Sequence, residues 1–98
     1  MPSACGYTWF PELDAVIREE SAAAGVPLDL AYTFIAAESG FDPDASNTVP
    51  PDDSHGLLQL NRAGGQGAGY SVEFLRDPRN NLRIGLPPIR RAFELVWR

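Results

Sequence analysis

Lysine is absent: all eight basic residues of this 98-residue chain are arginine, against 13 acidic ones, which leaves a net charge of −5. The acids gather between Glu12 and Glu20 and between Asp42 and Asp53, and the pI is about 4.6. Broad affinity for nucleic acid or for an anionic lipid surface needs a basic face, so both are excluded. Cysteine is reduced to Cys5 alone, so no internal disulfide can form. No Cys or His cluster stands at metal-ligand spacing, and neither a metal nor a cofactor is expected. Long apolar runs are missing too, and no stretch approaches the roughly 20 apolar residues of a membrane span. The opening Met1-Pro2-Ser3-Ala4-Cys5-Gly6-Tyr7 lacks the basic start and apolar run of a secretory signal. No internal repeat and no long alternating strand pattern appear.

What is present is a 44% hydrophobic fraction, enough for one small domain spanning residues 1–98 and burying roughly 60 to 70% of its extended-chain surface. The pattern predicts a mainly helical fold. A first helix starts near Pro11, favoured at a first helical position, and stops at Gly25. Pro27 restarts the chain as a second helix to about Ser39, with Gly40 as its C-cap. From Gly40 to His55 the composition turns to Asp, Pro, Ser and Asn, which predicts an irregular loop, and loops of this length are often functional. The island Gly56-Leu57-Leu58-Gln59-Leu60 fits a short hairpin. The run Gly64 to Tyr70 reads as flexible and lacks the Gly-Lys-Ser/Thr ending of a phosphate loop. Ser71 caps a short helix that ends at Asp77-Pro78, and Asn80 or Asn81 opens the last one. Pro87-Pro88 inside it predicts a kink or break, since each proline removes a hydrogen bond.

Ala31, Phe34, Ile35 and Glu38 fall at i, i+3, i+4 and i+7, one face of one helix. If that face points inward, Glu38 loses hydration, its charged form is disfavoured and its pKa rises. A carboxylic acid that keeps its proton near neutral pH is a candidate general acid. Periodicity alone does not single it out, because Glu20 follows Leu13, Val16 and Ile17 at the same spacing.

The ordered pieces Glu38-Ser39-Gly40-Phe41, Gly56-Leu57-Leu58-Gln59 and Asp77-Pro78 with Asn81-Leu82 and Gly85 resemble the soluble lytic transglycosylases, lysozyme-like domains that cleave peptidoglycan. The likeness covers about Leu13 to Gly85. It implies helices around a substrate groove, no cofactor, and peptidoglycan glycan strands as the partner. It places Glu38 as the acid that protonates the glycosidic oxygen between N-acetylmuramic acid and N-acetylglucosamine. The proton then returns as the muramyl 6-hydroxyl closes an anhydro ring. Ser39, Gly56 and Gln59 match substrate-side positions, with Leu58 in place of the family's Met, and Ser54 lies near a serine that orients the acid. Glycine lets backbone approach a sugar, and a glutamine amide both donates and accepts. Ser39 fits equally a hydroxyl bonded to its own helix. Asn81 and Gly85 fit framework positions.

Three departures stand out. Pro88 replaces a tyrosine three residues after the glycine matched by Gly85. A downstream Tyr-Asn segment that lines the groove is not reached, so Tyr70, Phe74 or Trp97 would have to supply stacking. Asp52 and Asp53 add carboxylates before Gly56, which turns attention to the goose-type lysozymes, where a second carboxylate activates water. Asp53 is the candidate second carboxylate, since an inverting hydrolase holds its two carboxyls about 6.5 to 9.5 Å apart. Asn61 stands where those enzymes carry another aspartate. His55 can bond either aspartate, though a loop histidine is more often at the surface. A module that binds glycan without cleaving it, inside a phage tail or secretion device, is the alternative from another class. The resemblance implies action on the cell wall. Delivery would be through a lysis pore, from a virion, or as a piece of a longer protein. A second copy, with Trp97 at the contact, is a further expected partner.

Overall fold

The computed structural model describes residues 11–97, without the side chain of Trp97. Cys5 and the other opening residues, and the Trp97 side chain as a stacking or dimer contact, lie outside the described residues. Helix α1 (Pro11–Ala24) ends where Gly25 turns left-handed, and α2 (Leu28–Ser39) ends on Gly40 in the same conformation. Both stops fall where glycine relieves the Cβ penalty of a positive φ.

The segment from Gly40 to His55 is not wholly irregular. Ser46–Asn47 (β1), Ser54–His55 (β2) and Leu60–Asn61 (β3) form a three-stranded antiparallel sheet in the order β1-β2-β3. Ser54 lies opposite both Asn47 and Asn61 in register. The expected hairpin around Gly56 is thus the β2–β3 pair, extended by one strand. The glycine-rich run is folded down instead of loose: Gly67 N–H donates to Asn61 O at 3.0 Å, and Gly67 is buried.

Ser71 caps α3 (Val72–Arg76) by accepting the Phe74 N–H. The last helix, α4 (Pro78–Trp97), starts two to three residues earlier than predicted, with Pro78 at its first position and Asp77 Oδ1 accepting the Asn80 N–H. The break expected at Pro87-Pro88 does not occur, and the helix runs through both prolines. Two adjacent rungs of the hydrogen-bond ladder are lost there. Fully buried Leu82 and Leu86 on one side and half-buried Ile89 on the other hold the flanking turns against the core. Packing overrides local propensity.

The core gathers Leu13 and Ile17 of α1, Ala31 and Ile35 of α2, Leu57, Leu58 and Leu60 around the sheet, Leu75 of α3, and Leu82 and Leu86 of α4. Helices α1 and α4 are further tied by charge. Glu20, only 7% exposed, accepts from Arg79 at 2.6 Å and Arg83 at 3.2 Å. Among the described residues no helix is long and apolar enough to cross a membrane, and no group of metal-binding side chains is found.

Candidate active site

Glu38 stands in the last turn of α2, and it is exposed. The inward, desolvated placement expected from the stripe is therefore wrong. Ala31 and Ile35 do reach the core with no exposed area, and Phe34 stays 40% exposed. The reason is axial: one turn beyond Ile35 the core ends, and the helix runs out over open space. Among the described residues nothing hydrogen-bonds to or pairs with the Glu38 carboxylate.

Two clefts meet at this residue. The first, about 500 Å³, lies between the end of α2 and the sheet, and its wall is polar: Ser39, Ser46, Asn47, Asp52 and Ser54 line it with Glu38 and Gln59. The second, about 390 Å³, is walled by Phe34, Leu58, Leu60, Pro88 and Ile89, again with Glu38 and Gln59. Glu38 and Gln59 thus form the boundary that both clefts share.

Gln59 is held there at a backbone cost. Its φ of +49° is rare for a residue with a side chain, and it closes the turn that links β2 to β3. Its Nε2 donates to Ala45 O and to Gly56 O, both at 2.9 Å, so its Oε1 is left as the acceptor. Beneath it, fully buried Asn81 braces the same turn. Its Oδ1 accepts from Leu58 N–H at 2.9 Å, while its Nδ2 donates to His55 O at 3.0 Å and Leu75 O at 2.9 Å. Asn81 is a framework residue as expected, though it secures the turn, and the capping falls to Asp77.

Gly56 is buried, with a φ of +87°, and a Cβ there would overlap Asn81 Nδ2 and Leu75 O. What it lets approach is the protein's own Asn81 amide and Leu75 carbonyl, and Gly56 lines neither cleft, so the expectation that it admits a sugar is corrected. Gly85 is constrained alike: a Cβ would stand 2.5 Å from Leu58 Cδ1.

Ser39 lines the polar cleft but donates to Ile35 O at 3.1 Å, the self-bonded helix hydroxyl foreseen as its bland role. Ser54 is buried in the cleft wall, and among the described residues no hydrogen bond joins it to Glu38. Tyr70 is brought to neither cleft. It stacks on Phe74 at 5.0 Å, a 14° interplanar angle.

Asp53 is also absent from both linings. Its carboxylate meets His55 Nε2 at 2.6 Å and Arg62 Nη1 at 3.0 Å, and Arg62 Nε reaches on to Tyr70 O at 2.8 Å. The His55 hydrogen bond, with help from the Arg62 charge, holds the Asp53 carboxyl below the usual carboxylate range against the opposing effect of burial. His55 is 3% exposed, not the surface residue a loop histidine suggests. The carboxylate that shares a cleft with Glu38 is Asp52, anchored by its own N–H to Val49 O and touched by Asn47 Nδ2 at 3.4 Å.

Sequence reasoning missed Phe34, assigned to the core, and Ser46, Asn47 and Gln66, which no motif marks. Pro88 was noticed as a substitution and as a helix breaker, yet it lines the apolar cleft.

Glu38, without a partner among the described residues, thus stands at the end of α2 between a polar and an apolar cleft, facing Gln59 on the braced turn. The family model of the transglycosylase SLT domain matches residues 15–94, most of the chain, and the chain belongs to that family. Its members cleave glycosidic bonds in the peptidoglycan of the cell wall. No curated protein and no solved structure matches the chain.

Proposed function

We propose that this chain is a lytic transglycosylase that cleaves the β-1,4 bond between N-acetylmuramic acid and N-acetylglucosamine with Glu38 as its one acid/base. The observation that carries this reading is the exposed Glu38, unpaired among the described residues, at the junction of two clefts. A glycan strand laid across both clefts would put a glycosidic oxygen over the carboxyl and shut water out. Glu38 gives its proton to that oxygen as the bond from the muramyl C1 breaks. The muramyl 6-hydroxyl then attacks C1, and Glu38 takes up the hydroxyl proton. The acid is thereby restored, and the product carries a 1,6-anhydro ring. The free Oε1 of Gln59 accepts from a sugar hydroxyl or amide beside the broken bond.

A second reading rests on Asp52, which lines the same polar cleft as Glu38. A carboxylate there could activate water and make the enzyme a hydrolase of the goose-lysozyme kind. Asp53, already engaged by His55 and Arg62, is the poorer base. Mass spectrometry of muropeptides released from purified peptidoglycan separates the readings. Anhydro-muramyl ends support the transglycosylase, reducing ends the hydrolase with Asp52, and no release a module that binds glycan within a phage or secretion assembly. Engagement of peptidoglycan strands in the cell wall is common to all three. Delivery from a virion, and pairing with a second copy, remain proposals apart from the chemistry.

A further inference from the structure

Residue 66 lies between two glycines that press against other backbone. A Cβ on Gly65 would stand 2.8 Å from Asn61 O, and one on Gly67 would stand 2.8 Å from Leu60 O and 3.0 Å from Leu75 Cδ1. Gly67 N–H donates to Asn61 O and Ala68 N–H to Gly65 O, which pins the segment onto β3. Only at Gln66, of these three positions, does a side chain leave the turn, and it lines the apolar cleft beside Glu38. The other amide of that cleft, on Gln59, has its NH2 group committed to Ala45 O and Gly56 O. Gln66 is exposed and, among the described residues, makes no side-chain hydrogen bond, so both its donor and its acceptor are free.

We infer that Gln66 is the specificity-determining contact of this half of the groove, its carboxamide pairing with the acetamido group of an N-acetylated sugar seated against Phe34, Leu58 and Pro88. An acetamido group offers one N–H and one C=O, which a carboxamide matches with its own C=O and N–H. The acetamido methyl and the C–H face of the ring fit the apolar wall. A sugar stripped of its acetyl group carries an ammonium, which has no acceptor for the Gln66 NH2 group and is costly to lay on an apolar surface. This inference rests on the glycan reading proposed above.

The test is binding, not cleavage. Glycan strands freed of stem peptides, and the same strands after chemical de-N-acetylation, are titrated by calorimetry into Glu38→Gln protein with and without Gln66→Ala. Gln66→Leu, which keeps the bulk of the side chain, serves as a second variant. The account predicts about a tenfold loss of affinity for the acetylated strand in both variants, the scale of one or two hydrogen bonds. For the de-N-acetylated strand it predicts less than about a twofold change. Equal losses on both strands, no loss on either, or no binding by the Glu38→Gln protein overturn the role of Gln66. Acetyl-dependent binding together with a wild type that releases no muropeptides overturns the enzymatic reading and leaves Gln66 standing. Release by the wild type with binding blind to Gln66 does the reverse.

Discussion

Glu20 and Glu38 end the same sequence pattern and meet opposite fates. Each closes an apolar i, i+3, i+4, i+7 stripe, Leu13-Val16-Ile17 before the first and Ala31-Phe34-Ile35 before the second. Glu20 faces α4, where Arg79 and Arg83 neutralise it as the helices close over it. Glu38 faces clefts that, among the described residues, no arginine lines. A buried carboxylate needs cations to offset its lost hydration, and once paired it is a structural strut. The carboxylate left without a cation, where a substrate can reach it, is the one proposed above to carry the chemistry. Helical periodicity reports the face of a helix, whereas the partner opposite decides what the residue there is for.

The largest expected effect breaks the comparison on the side of Glu38. Glu38→Gln should lower muropeptide release by about 10²- to 10⁴-fold, the scale of a lost general acid, with the thermal midpoint unchanged because nothing among the described residues bonds to that carboxylate. Next comes the brace beneath the turn. Asn81→Ala orphans the Leu58 N–H and the carbonyls of His55 and Leu75. Denaturant titration should register a loss of about 3 kcal/mol or more. That loss would place the integrity of the clefts in Asn81, independently of either glutamate.

On the other side, Glu20→Gln turns an amide donor toward two guanidinium groups. Since Arg79 and Arg83 keep contact with water, the cost should be about 2 kcal/mol, less than for a wholly buried pair. Release per folded molecule should stay at the wild-type level, and a drop in it would undo the separation of roles.

The smallest effect is one of pH. Asp53 has a depressed folded-state pKa, so the stability it contributes is present above the unfolded carboxylate value, near pH 4, and is lost as pH falls through the folded one. Acid unfolding of Asp53→Asn should lack that component, and the loss of a hydrogen-bond acceptor for Arg62 should loosen Tyr70. Urea midpoints of both proteins across the acid range would check it.

How much of this could be read in the sequence follows from how local each cause is. The ends of α1 and α2 were legible because Gly25 and Gly40 carry the stop in one residue. The Ser71 cap was legible for the same reason. The continuity of α4 through Pro87-Pro88 was not, because what holds it is burial of Leu82 and Leu86 by elements far along the chain. The same holds for the short strands, which have two residues each and no periodicity to detect. At the site, Glu38 and Gln59, the two residues named through the motif, both border the clefts, but the inward placement expected of Glu38 was wrong. The stripe could not reveal that the core ends one turn before Glu38. Gly56 and Asn81 were legible only as motif members, and their mutual packing is what explains them. Asp52 and Asp53 are neighbours in sequence, and only the strand geometry tells which one turns to the cleft. Gln66 could have been suspected from its two flanking glycines, which leave one side chain in a stretch otherwise built to lie flat.

The account stands most directly on the release of soluble muropeptides from peptidoglycan by Glu38→Gln, assayed well below its own unfolding midpoint. It predicts release lowered by about a hundredfold or more from a protein as stable as the wild type. Release at the wild-type rate would contradict it and return the chemistry to another carboxylate of the cleft.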